Sequence, residues 1–267
     1  MKTAHIMRSI AAAVAVTAIC APCVHAAASS SNEFKVMSFN IRHCQGTDGK
    51  LDVGRVAAAI KGQSPDYVCL QEVDVRTKRS AKVDQAAKLA ELTGMKSTFA
   101  KAIKFNGGEY GVAILARDKP LNVAKIALPG KEPRVLLVCE FKDFSVATAH
   151  LSVGGAKERE KAIPIIKKAF AKASAKPVFF TGDWNATPDS AVLKELGSFL
   201  TILSPQKGVC TFHGSGAKDP NAKLKDYCID YVAVDTAHAK RFKVKSAKVV
   251  EDRKSSDHAP LVVTLRK

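Results

Sequence analysis

Nine short apolar runs recur along the chain, and several stop abruptly on a polar or acidic residue. The run 34–41 leads through Asn40 and Ile41 into Arg42, 66–71 into Gln71-Glu72, 144–150 into Ala149-His150, and 177–182 into Gly182-Asp183-Trp184-Asn185. Asp230 opens the run 229–234, and Ser256-Asp257-His258 precedes the last, 259–265; the others cover 110–116, 134–141 and 242–250. Runs of this length and composition read as strands. Val178-Phe179-Phe180 is apolar on successive faces, which requires cover on both sides of a sheet. Helical patterns occupy 53–62, 84–94, 156–173 and 189–196. In the second, Ala87, Leu89, Ala90 and Leu92 lead to Gly94 at a C-terminal cap position, and Pro164 is expected to kink or restart the third. The count favours an α/β (α+β) chain with two central sheets packed together and flanked by helices.

The first residues read as an export signal. Lys2 and Arg8 form a positive start, Ile10–Ile19 a short apolar run, and Val24-His25-Ala26 a cleavage site with small residues at −3 and −1. The run falls short of the roughly 20 residues that span a bilayer. Ile19 and Pro22 poorly suit a lipid attachment at Cys20 or Cys23. The expected organisation is a cleaved signal over 1–26, a short disordered linker over 27–33, and one domain over 34–267. The protein is expected in a bacterial periplasm or outside the cell, as a monomer with no stable protein partner and no membrane-spanning segment.

Losing Lys2 and Arg8 with the signal lowers the formal charge from +17 to +15. A basic surface attracts polyanions such as nucleic acid, anionic lipid or phosphorylated small molecules, although a lysine-rich solvated surface gives the same count. Five cysteines remain after cleavage. Cys69 and Cys139 lie in apolar runs and read as small buried hydrophobes, whereas Cys210 and Cys228 flank a polar loop and are open to bridging. The absence of any Cys-x-x-Cys pair in the mature chain argues against a structural zinc site.

The acids at the strand ends need a physical reason. A buried carboxylate is costly unless paired or bound to metal, and Glu72, Asp183, Asp230 and Asp257 all adjoin apolar strands. A hard divalent cation such as Mg²⁺ takes oxygen ligands from one or two carboxylates, water and substrate phosphate, and it offsets charge in an in-line displacement at phosphorus. Cleavage of a phosphate ester also needs proton transfer, for which His150 and His258 are placed beside acids. Singly, a helix cap also accounts for Glu72, a loop contact for Asp230, and a satisfied core position for His150. Their joint occurrence points to hydrolysis of phosphate esters.

Ser-Phe-Asn-Ile-Arg (38–42), Leu-Gln-Glu-Val-Asp (70–74), Thr-Ala-His-Leu (148–151), Thr-Gly-Asp-Trp-Asn-Ala-Thr-Pro (181–188), Ile-Asp-Tyr (229–231) and Ser-Asp-His-Ala-Pro-Leu (256–261) occur in that order. Together they resemble the endonuclease/exonuclease/phosphatase superfamily over essentially all of 34–266. The resemblance implies a DNase I-like, four-layered α-β-β-α sandwich with its site at one end of two mixed sheets. It implies Glu72 as principal metal ligand with Asn40 beside it and Asp257 as a further metal-site carboxylate. Asp183 would activate or orient water, Asn185 bind phosphate, His258 contact the scissile phosphate with Asp230 orienting it, and His150 act as general acid or transition-state stabiliser. Among bordering residues, Arg76, Tyr110 and Arg134 are candidates for substrate contact. Mg²⁺, with Mn²⁺ as substitute, is the implied cofactor, and the step is a direct attack of water on phosphorus without a covalent intermediate.

The substrate is less legible. Aromatic residues make up 6% of the chain and mostly fit strand interiors, which disfavours a membrane-dipping lipid phosphodiesterase of the sphingomyelinase type. A basic chain suits nucleic acid, yet no arginine-rich helix or stacking platform stands out. The polar loop 214–226, with Lys218, Lys223 and Lys225, is a candidate rim. The favoured reading is a phosphodiesterase or nuclease on nucleic acid or on small or lipid-derived phosphodiesters; a phosphomonoesterase is the nearest alternative. A non-catalytic polyanion-binding protein is the alternative of another class, disfavoured because a binder gains nothing from buried acids.

Overall fold

Side chains alternate between two faces along each strand, and that alternation builds the molecule in layers. A computed structural model describes residues 32–173, 175–214 and 227–267. The expected signal over 1–26, the linker up to residue 31 and the loop lysines Lys218, Lys223 and Lys225 lie outside the described residues.

One six-stranded sheet contains β1 (Glu33–Asn40), β2 (Tyr67–Val75), β3 (Lys96–Phe105), β4 (Gly108–Ala116), β11 (Lys243–Val249) and β12 (Leu261–Arg266), in the order β11-β12-β1-β2-β4-β3. The other contains β5 (Asn122–Leu128), β6 (Arg134–Glu140), β7 (Ser145–His150), β8 (Val178–Asp183), β9 (Leu200–Ile202) and β10 (Asp230–Asp235), in the order β5-β6-β7-β8-β10-β9. Both are mixed, since β1–β2 and β7–β8 run parallel and the remaining neighbours antiparallel.

Val36, Cys69, Ile114, Leu137, Val146, Phe179 and Val232 meet in one cluster that joins the two sheets. The opposite face of the first sheet, with Met37, Phe39, Val68 and Leu70, packs on α1 (Val53–Gln63) and α2 (Gln85–Thr93). The opposite face of the second, with Ala147, Phe180 and Tyr231, packs on α3 (Ala156–Ala173) and α4 (Ala191–Leu196). These are the four layers expected. Among the described residues, no helix is long and apolar enough to cross a membrane.

Local chemistry explains the helix ends. Asp52, Asp84 and Ser190 each accept a hydrogen bond from a backbone N–H one turn on, the standard use of an N-cap side chain. Gly94 closes α2 with φ 71°, a left-handed cap that glycine adopts without steric cost. The third helix runs unbroken through Pro164. Proline removes one hydrogen bond to the carbonyl four residues back; Pro164 lies on the exposed face, where water can serve the Glu160 carbonyl.

Three strands escaped the sequence pattern, and edge position explains two of them. β3 and β5 each pair with a single neighbour. The β5 sequence, Asn-Val-Ala-Lys-Ile-Ala-Leu, is mostly exposed, and a register shift between Lys101 and Ile103 breaks the alternation of β3. β9 is only three residues long. Cys210 and Cys228, left open as a bridge, are free thiols; Cys228 Sγ points to the Pro205 carbonyl at 3.7 Å.

Candidate active site

The inward columns of five strands change from apolar to polar toward the same end of the sandwich. They read Val36-Ser38-Asn40, Cys69-Gln71, Val146-Thr148-His150, Phe179-Thr181-Asp183 and, on antiparallel β10, Val234-Val232-Asp230, and every one of these residues is buried. Gln71 Nε2 donates to Thr148 Oγ1 at 2.9 Å, tying the two sheets together just beneath the cluster. His150 and Asp230 both lie opposite Asp183 in strand register.

Glu72 follows inward-facing Gln71 and would point outward in a regular strand. A bulge between Leu70 and Val73 and a φ of 57° at Glu72 turn it instead toward Asn40. Bulges commonly re-aim a side chain beside an active site. A second irregularity follows β1, where Arg42, His43 and Cys44 all have positive φ. A left-handed turn of L-residues costs roughly 1–2 kcal/mol per residue, so the surroundings must hold it. Gln85 does so with both ends of its amide: Oε1 accepts from Asp74 N at 2.9 Å and Nε2 donates to the His43 carbonyl at 2.6 Å. Gln85→Leu would strand both groups in the interior, and we expect a loss of about 2–4 kcal/mol in urea unfolding. A change below about 0.5 kcal/mol would show that the turn holds itself.

At the end of β8, Gly182 has φ 142°, and a Cβ there would lie 2.0 Å from the Ala149 carbonyl oxygen. Asn185 takes φ 49°, a region asparagine tolerates better than most residues. Its backbone N–H donates to Asp183 Oδ1 at 2.9 Å and its Nδ2 to the Leu151 carbonyl at 3.0 Å. Buried Trp184 stacks between Phe180 and Tyr231, and the Tyr231 hydroxyl donates to the Ala186 carbonyl at 2.7 Å, securing this turn from below.

The cluster itself is a connected chain of polar groups. Asn40 Nδ2 lies 3.1 Å from Glu72 Oε1 and 3.0 Å from Asp183 Oδ2, while Asn40 Oδ1 accepts from Arg42 N. Asn40 thus turns its donor end to the two acids. His258 Nδ1 is 2.8 Å from Asp230 Oδ2, and its Nε2 is 3.6 Å from Asp183 Oδ2. His150 Nε2 approaches the same Asp183 oxygen at 3.4 Å. Ser256 Oγ donates to the Asn40 carbonyl at 2.7 Å and accepts from His258 N, linking the last motif to the first. Thr211 Oγ1 accepts from the N–H groups of Ile229 and Asp230.

Burial and charge set the protonation of these groups. Desolvation pushes the Asp183 carboxyl up, a rise that neighbouring Asp230 reinforces and His258 opposes. Burial also raises Glu72, with Asn40 and His258 opposing and Asp257 adding to the rise. For His258, burial disfavours the cation, but Asp230, Asp183 and Asp257 outweigh it and hold the ring up to about 10. His150 goes the other way: burial, with Arg134 and His258 nearby, keeps it neutral. Two histidines in one site therefore differ in charge, which suits different proton roles.

The outer candidates separate. Arg134 is buried and pairs with Glu132, and its charge bears on Glu72, Tyr110 and His150. Tyr110 is buried near Glu72, and burial pushes its hydroxyl well up. Arg76 instead lies exposed after β2 and is not among the residues lining the cavity. Neighbouring Arg79 is held by Asp74 at 2.7 and 2.8 Å. The cavity above the cluster has a volume of about 540 Å³. Glu72, His150, Asp183, Asn185, Asp257 and His258 line it, together with Phe212, Tyr227, Ile229, Val153, Thr187, Ser190 and Arg159. Sequence reasoning singled out none of Gln85, Thr211 and Arg159. Each stands in an unremarkable local sequence, so only their contacts reveal them.

The donor set fits a hard cation. Ligand atoms of Asp183, Asp230 and His258 lie within 4.8 Å of one another, a grouping able to hold a metal ion. His258 Nδ1 is already committed to Asp230, so this trio also forms a linked proton path. Asp230 Oδ1 is buried without a hydrogen-bond partner among the described residues. Glu72 has Asn40 as its side-chain partner, and Asp257 has Ser256 at 3.4 Å and Arg42 at 3.4 Å. Their carboxylate oxygens are the ligand type that Mg²⁺ and Mn²⁺ prefer.

Comparison with known proteins agrees with this architecture. The model of the Endonuclease/Exonuclease/phosphatase family matches residues 37–258. No curated protein matches the chain. An endonuclease/exonuclease/phosphatase family protein from Bacteroides thetaiotaomicron superposes with a TM-score of 0.72 at 19% identity, covering 87% of this chain and 97% of that one. A mannosyl-6-phosphatase from Bacteroides thetaiotaomicron VPI-5482 gives 0.72 at 19% identity, over 88% and 100%. TDP2 from D. rerio, complexed with a single strand DNA product, gives 0.66 at 19% identity, over 88% and 99%. At these identities the likeness establishes a shared DNase I-like sandwich.

Proposed function

Because the chain belongs to the endonuclease/exonuclease/phosphatase family, a family of phosphoester hydrolases, we propose that it is a divalent-metal-dependent phosphodiesterase of the nuclease type. The observation that carries this reading is the buried chain Asn40–Asp183–His258–Asp230, whose members touch at 2.8–3.6 Å. A carboxyl raised by burial accepts a proton more readily than a solvated one, so Asp183 takes the proton of the attacking water. Asn40 orients that carboxylate. His258, kept cationic by Asp230, stabilises charge building on the phosphoryl oxygens, and neutral His150 stands on the other side of Asp183 to donate or relay a proton. Asn185 presents its amide at the cavity wall, and Arg134 adds positive charge that acts on Glu72 and His150.

Glu72 and Asp257 would hold the cation, which leaves Asp183, Asp230 and His258 to the proton chemistry. When bound, Mg²⁺ or Mn²⁺ polarises a phosphoryl oxygen and offsets transition-state charge. The structural neighbours named above include a sugar phosphatase and a DNA-bound protein, so they leave the substrate open within the class. Plasmid DNA, RNA, inositol phosphates, a phosphomonoester and sphingomyelin, each incubated with Mg²⁺ and with EDTA, test the reading. We expect EDTA-sensitive cleavage of a phosphodiester substrate. Turnover of the monoester alone would replace it with the phosphomonoesterase alternative, and binding without any cleavage would favour a polyanion-binding protein.

A further inference from the structure

The cavity continues past Asp183 and His258 to a wall that carries an arginine. Arg159, near the start of α3, lines it with Thr187 and Tyr227. Its Nη1 donates to the Ser152 carbonyl at 2.8 Å, two residues beyond His150, so the guanidinium is fixed relative to the catalytic histidines. Its Nε is buried and without a hydrogen-bond partner among the described residues. Glu158, the adjacent acid, is engaged by Ser152 Oγ and the Lys131 N–H.

Other arginines differ. Among the described residues, Arg42, Arg55, Arg79, Arg117, Arg134 and Arg266 each have a carboxylate within ion-pair distance. Arg76, Arg241 and Arg253 lack one but are exposed to water. Arg159 is half-buried, faces a cavity and has no carboxylate partner among the described residues. A cation removed from water without a counter-charge is costly, and a guanidinium is shaped to bind the oxygens of a phosphate.

We propose that Arg159 binds a second phosphate of the substrate, next to the one that is cleaved, so that the site prefers molecules carrying at least two phosphates. The proposal rests on the phosphohydrolase reading above and names its substrate class. That second phosphate belongs either to the neighbouring link of a nucleic acid strand or to a multiply phosphorylated small molecule.

Calorimetric binding to the full chain in EDTA, where no turnover occurs, separates this proposal from the catalytic reading. The probes are thymidine 3′,5′-bisphosphate against thymidine 5′-monophosphate, and an inositol bisphosphate against an inositol monophosphate. Wild type is expected to favour the bisphosphate in at least one pair. Arg159→Gln should shrink that preference about 10- to 100-fold, while Arg159→Lys keeps part of it. Arg241→Gln, which removes one exposed charge elsewhere, should keep all of it. An Arg159-dependent preference confined to one pair supports the proposal and identifies the source. The proposal is overturned by equal affinity for both members of each pair in wild type, by an undiminished preference in Arg159→Gln, or by an equal fall in Arg241→Gln. Should Arg159→Gln fail to fold, the comparison of Arg159→Lys with wild type decides.

Discussion

Asp183→Asn is expected to lower kcat on a phosphodiester about 10²- to 10⁴-fold, the range lost with a general acid or base, while the protein stays folded. The substitution keeps the volume of the side chain and an oxygen to accept the Asn185 N–H, now 2.9 Å away. What disappears is the proton acceptor that lies beside both His150 and His258. Unfolding should separate this loss from damage to the fold. Asp183 is buried against an acid, Asp230, and its charge is disfavoured there, so a neutral amide should leave thermal stability equal or higher. A kcat within tenfold of wild type would remove Asp183 from the mechanism.

Gly182→Ala carries the largest expected effect on stability, about 3 kcal/mol or more. The new methyl would sit 2.0 Å from the Ala149 carbonyl oxygen at a φ that L-residues rarely adopt. The only relief is to part β7 from β8, whose register there sets Ala149 against Gly182 and His150 against Asp183. Activity should therefore fall together with stability. Urea unfolding followed by circular dichroism measures the first effect. A loss below 1 kcal/mol would mean that the strands tolerate the separation and that their close approach does not fix the site.

How much of this was readable beforehand follows from what kind of signal each feature leaves. The apolar-to-polar switch at strand ends is a local pattern, and it located Asn40, Glu72, His150, Asp183 and Asp230 before any coordinates. The stacked layers followed from the same runs. Edge strands β3 and β5 were invisible because half-exposed strands with lysine and alanine carry little of the β signal. The bulge at Glu72 and the left-handed turn at Arg42, His43 and Cys44 leave no compositional trace, since neither uses glycine. Gln85, Thr211 and Arg159 act through partners between 7 and 42 positions away in sequence, and pairings of that kind appear only once the chain is folded. Arg76 shows the reverse case. Its nearness to Glu72 in sequence suggested a substrate contact, whereas the loop after β2 leaves it in solvent and Asp74 engages Arg79 instead.

Hydrolysis of bis(p-nitrophenyl) phosphate by wild type, Glu72→Ala and His258→Ala, followed over a Mg²⁺ titration that starts from EDTA-treated protein, tests the central claim most directly. The account predicts no turnover by wild type in EDTA, recovery on adding Mg²⁺ or Mn²⁺, and severe loss in both variants at every metal concentration. Equal rates in all three proteins, or a full wild-type rate in EDTA, would contradict it.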